Sequence, residues 1–91
     1  MPYVYQAEKP KLFTEEGQIT FLKIRDHVVR LLRVSGAVRM LEAMSSAPGD
    51  SWLRMACIDR MAELGEIVEI KMPGDTPGQW RVFTAGPHFS D

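Results

Sequence analysis

Residues 51–71, SWLRMACIDRMAELGEIVEIK, read as a helix that stops at Gly65 and turns at once into a strand. Asp50 or Ser51 places an oxygen-bearing side chain where it can cover free amide groups of the first helical turn. Leu53, Cys57, Met61 and Leu64 recur at helical spacing and give the segment one apolar face. Gly65 falls where the chain leaves the helix, and only glycine enters the left-handed conformation there without a Cβ clash. Directly afterwards the period becomes two, with Glu66, Val68 and Ile70 set against Ile67, Glu69 and Lys71. The rest of the fold is read outward from this junction.

Upstream, Ser45-Ser46-Ala47-Pro48-Gly49-Asp50 is a turn: proline sets φ, glycine permits positive φ, and Asp50 starts the next helix. Before it, Ser35 can cap a short second helix over residues 37–44, with Val38, Leu41 and Met44 facing the core. The first helix is long and amphipathic. Thr14 followed by Glu15 and Glu16 marks its start, although Gly17 suggests that the regular turns begin slightly later. Phe21, Ile24, Val28, Leu31 and Leu32 form its apolar face, and Lys23, His27, Arg30 and Arg33 lie opposite. Asp26 stands beside Arg30 at the i,i+4 spacing of an ion pair. Downstream, residues 66–72 and 79–84 read as two strands, joined by a long loop with two Pro-Gly pairs. The pattern predicts a mainly α fold with a small β-hairpin, an α+β domain.

Ninety-one residues suffice for one core. Residues 1–13 show no helical period and are expected to form an extended arm, with residues 86–91 a flexible tail. No apolar run reaches the ~18 residues that span a bilayer, and the N-terminus lacks a secretory pattern. A single cysteine, Cys57, allows no internal disulfide, which together point to the cytoplasm. The net charge of −1 conceals a division. Residues 20–40 set five cations against Asp26 alone, whereas residues 41–91 hold twice as many acids as bases.

Two helices joined by a short turn, then a third helix and a hairpin, resemble the winged-helix (winged helix-turn-helix) domain: three helices followed by a two-stranded antiparallel wing. The resemblance covers residues 18–84 in order of elements and sets the domain at 14–85. Met61-Ala62-Glu63-Leu64-Gly65-Glu66-Ile67-Val68 is similar to the leucine-x-glycine-x-valine exit from the third helix of many bacterial winged-helix regulators. Trp80-Arg81-Val82-Phe83 corresponds to the return strand of the wing. The family resemblance implies a third helix in the DNA major groove and a wing on phosphates. Ser51, Trp52, Met55, Asp59 and the loop around Asp75 would then face DNA.

The chemistry of those positions points elsewhere. At 100° per residue, Leu53, Cys57, Ile58, Met61 and Leu64 share one arc of the third helix. The opposite arc carries Trp52, Ala56, Asp59 and Glu63, with Arg60 at its edge. Reading DNA takes donors for bases and cations for phosphates, and two carboxylates supply repulsion instead. The expected function is therefore a small non-catalytic binding module, working by protein–protein interaction or self-association through the third helix. Its interface would be Trp52, Met55 and Ala56, with Asp59 and Glu63 as an acidic rim that selects a basic partner. The alternative is a DNA-binding transcription regulator that uses Lys23, Arg30 and Arg33 of the first helix, Arg54, and Lys71 and Arg81 of the wing. Each feature also has a plainer reading: Trp52 as a core residue, and the basic stripe as a solvated helix face. His27, His88 and Cys57 are isolated from one another, and no nucleophile elbow or phosphate loop occurs. No metal, cofactor, small-molecule substrate or catalysis is expected.

Overall fold

The Thr14 hydroxyl accepts a hydrogen bond from the Gly17 amide at 3.0 Å and so caps helix α2, Glu15–Ser35. The computed structural model describes residues 3–45, 50–70 and 81–89. Ahead of α2 lie a short helix α1, Tyr5–Glu8, and a 3-10 turn, Lys9–Phe13. After it come strand β1 (Ala37–Arg39), helix α3 (Met40–Met44), helix α4 (Ser51–Glu63), and strands β2 (Ile67–Ile70) and β3 (Val82–Ala85). The three strands form one antiparallel sheet in the order β1-β3-β2. The molecule is mostly helical with a small sheet, as its sequence implies.

The helix α4 is the hub. It packs against α1, the 3-10 turn, α2, α3 and β2, so almost every element closes on it. Leu53, Cys57, Ile58 and Met61 from α4 meet Ile24, Val28 and Leu32 of α2, Val38 of β1, Ile67 of β2 and Phe83 of β3 in one core. Its exit matches the expectation: Gly65 has φ 78°, in the left-handed region. The Gly65 amide donates to Ala62 O at 3.0 Å and the Glu66 amide to Met61 O at 3.0 Å, which satisfies the last carbonyls of the helix.

Several expectations are corrected. The N-terminal segment is helical rather than extended. The amides of Ala7 and Glu8 both donate to Val4 O, and Pro10 sits in the first turn of the 3-10 helix, where its missing N–H costs nothing. Gly17 does not delay α2; it lets the 3-10 turn cross the first turn of the helix. A Cβ there would strike the Lys11 carbonyl oxygen and lie 2.8 Å from Leu12 Cα. The second helix is shorter than residues 37–44, because residues 37–39 pair with β3 instead. Val38 sits opposite Phe83, and the Met40 amide donates to Arg81 O at 2.7 Å. Starting at Met40 changes the helical phase, so Met40, Ala43 and Met44 are buried while Leu41 is exposed. The two strands after α4, expected as an isolated hairpin, are accordingly part of a three-stranded sheet. Residues 86–89 are tied down as well. The Gly86 amide donates to Glu66 O at 2.9 Å, the His88 amide donates to Gly65 O at 2.8 Å, and Phe89 packs on the core. The tip of the expected wing, with Lys71, Asp75 and Trp80, and most of the turn before α4 lie outside the described residues.

Candidate interaction surface

The outward arc of α4, expected to be an open acidic interface, is occupied by the chain itself. Tyr3 Oη donates to Asp59 Oδ2 at 2.7 Å, and Tyr5 Oη donates to Glu63 Oε1 at 2.9 Å. Lys9 Nζ pairs with Glu63 Oε2 at 2.9 Å, and Arg60 Nη1 with Glu63 Oε1 at 2.6 Å. Asp59 is shared with Arg81, whose Nη2 lies 2.9 Å from Asp59 Oδ1 and 2.9 Å from Glu69 Oε1. The N-terminal segment thus straps the arc, and both carboxylates have counter-ions.

The ionisation of these groups follows from that strapping. Hydrogen bonds from Lys9, Arg60 and Tyr5 hold Glu63 down at about 2. Burial, then the hydrogen bond to Glu63, pushes Tyr5 up to about 12. Burial and the bond to Asp59 likewise raise Tyr3 well above an ordinary phenol. For Arg81, burial acts against the charge, but the hydrogen bonds to Glu69 and Asp59 outweigh it and raise the pKa.

Of the five residues expected at the α4 interface, Ala56 is a correction. It is 0% exposed and part of the core, because α4 is packed on its outward side by α1 and the 3-10 turn. Met55 is half-buried and packs against the core, and Trp52 is half-buried. Asp59 and Glu63 keep their places on the helix but are bound within the chain. Asp59 is half-buried, and Glu63 stays exposed although ion-paired.

The alternative nucleic-acid set is dispersed. Lys23, Arg30 and Arg33 are exposed on α2. Arg54 Nη1 donates to Met44 O at 3.2 Å, and Arg81 is held by Asp59 and Glu69. Lys71 lies outside the described residues. His27 Nε2 is 3.1 Å from Glu42 O, a bridge between α2 and α3. Burial pushes the Cys57 thiol up to about 12, which leaves it inert as a nucleophile. Among the described residues no group of three or more metal-binding side chains occurs, and no helix is long and apolar enough to cross a membrane.

A second surface is open, one the sequence reading left unassigned. Phe13, Ile19, Leu22 and Leu64 are 57%, 50%, 59% and 41% exposed. Leu12, Phe13, Phe21, Leu22 and Leu64, with Gln18 and Arg60, line a shallow cleft of ≈ 320 Å³ between the 3-10 turn, α2 and the end of α4. The Arg60 guanidinium lies 5.5 Å from the Phe13 ring centroid, its charge already used by Glu63. A signal for this surface was present in the sequence. Ile19 and Leu22 fall on the wheel of α2 away from Ile24, Val28 and Leu32, among residues that should be polar. Comparison of the chain with protein-family models, with curated proteins and with solved structures finds no match.

Proposed function

We propose that the chain is a small, non-catalytic winged-helix binding module whose partner is a protein. The order of elements supports the winged-helix reading: a long helix, then the helices α3 and α4, then two antiparallel strands after a left-handed glycine. The observation that carries the protein-binding reading is the set of Phe13, Leu22 and Leu64, large apolar side chains left 41–59% exposed around one cleft, with Ile19 exposed on the same helix as Leu22. Contiguous apolar surface on a small domain is characteristic of contact sites. A DNA reader would need the outward arc of α4, and there the N-terminal segment lies across two acids. Of the cations that could serve phosphates, Arg54 and Arg81 are committed to partners inside the chain.

The contact surface in this reading is centred on α2 and the 3-10 turn, not on Trp52, Met55 and Ala56. The test is a titration of labelled random-sequence duplex with the full chain at low and moderate salt. Weak binding is expected at both. Tight binding that falls by about a thousandfold or more across that range, as counterion release dictates, would replace this reading with the DNA-binding alternative.

A further inference from the structure

Building on the protein-binding reading, we propose that the partner at this surface is a second copy of the chain, docked antiparallel along α2. The outward stripe of that helix is Glu15, Ile19, Leu22, Asp26 and Arg30. These residues are spaced by four, three, four and four, and all are exposed. Steps of four and three residues keep side chains on one face, the spacing by which two helices lie against each other. The seam has a polarity. Glu15, backed by Glu16, makes one end acidic, Ile19 and Leu22 make the middle apolar, and Arg30 makes the other end basic.

A two-fold interface places each residue of the patch against a different residue of the same patch, so the surface must complement itself. This one does so in only one direction. Glu15 and Arg30 lie seven and eight residues to either side of Leu22, which is ~11 Å and ~12 Å along the helix axis. A two-fold axis beside Leu22 therefore brings Leu22 against its own copy and sets Glu15 opposite Arg30 at both ends. Parallel packing would instead oppose Glu15 to Glu15 and Arg30 to Arg30, an arrangement that like charges disfavour. Phe13 and Leu64 flank the seam on the cleft side and widen the apolar centre. The same axis sets Asp26, the one acid in the basic half, opposite Ile19, and Arg30 follows Asp26 by one turn on the same helix to balance its charge.

The experiment is sedimentation equilibrium of the full chain from about 10 µM to about 1 mM, with five variants. The unaltered chain is expected to form a dimer, and Leu22→Glu to weaken it by about tenfold or more with an unchanged circular dichroism spectrum. Glu15→Arg and Arg30→Glu should each weaken the dimer, and the two together should restore it. Leu22→Cys should cross-link to itself under mild oxidation. The native Cys57 is buried and should give no such product, so this arm also decides the matter should Leu22→Glu fail to fold. A chain that stays monomeric throughout, a dimer indifferent to Leu22→Glu, or a double charge variant no better than the single ones would overturn the proposal. These results are independent of the duplex titration. A monomer that ignores duplex removes the self-pairing alone, whereas a tight duplex complex removes the reading beneath it.

Discussion

Gly65 and Glu63 sit two residues apart at the end of α4 and show how single side chains hold this fold. At Gly65 the constraint is backbone conformation, since φ of 78° is strained for any residue with a Cβ. An added methyl would also meet His88 Cδ2 at 2.5 Å, though that exposed ring can move aside. Gly65→Ala is therefore expected to lower stability by about 1 kcal/mol or more in chemical denaturation; an unchanged midpoint would contradict the role given to Gly65. At Glu63 the constraint is charge. Its carboxyl is held at about 2 against an ordinary 4.5, so the folded state binds fewer protons than the unfolded state between those values. The stabilisation is present above 4.5 and is lost as pH falls toward 2. Stability measured across that range should fall with pH, and Glu63→Gln should flatten the fall. A variant with the same acid profile as the unaltered chain would show that the Lys9, Arg60 and Tyr5 contacts are not formed.

At the level of elements, legibility tracked how local the determining interactions are. The helix α2 could be read because Thr14, two acids and a run of apolar residues at helical spacing all lie within the segment. The left-handed exit from α4 could be read because one glycine marks it. Strand β1 could not, since three residues are too few to show a period and their partner β3 lies more than forty positions away. Nor could the N-terminal helix, whose order comes from Tyr3 and Tyr5 meeting Asp59 and Glu63 across the fold. Those same contacts hid the site. The acids of α4 look solvent-facing on a wheel, and only the chain's return over the helix shows them to be paired. Tyr3→Phe removes the donor to half-buried Asp59 while leaving Arg81 in place, and should cost about 1 kcal/mol in thermal unfolding. No loss would mean that the segment does not clasp α4 through this bond.

For the molecule as a whole, these contacts redistribute what is available to a partner. The acidic half of the sequence spends Asp59, Glu63, Glu66 and Glu69 on internal ion pairs with Arg81, Lys9, Arg60 and Arg25. Among the described residues, the apolar cleft and the exposed charged and apolar side chains of α2 face outward. The fold sets α4 at the centre of the packing, and under the proposed function α2 is the helix turned toward a partner. Hydrogen–deuterium exchange, compared between dilute and concentrated samples of the full chain, tests this most directly. Added protection is expected over residues 13–30, with residues 51–63 unchanged. Protection gained over residues 51–63 and absent from residues 13–30 would contradict it.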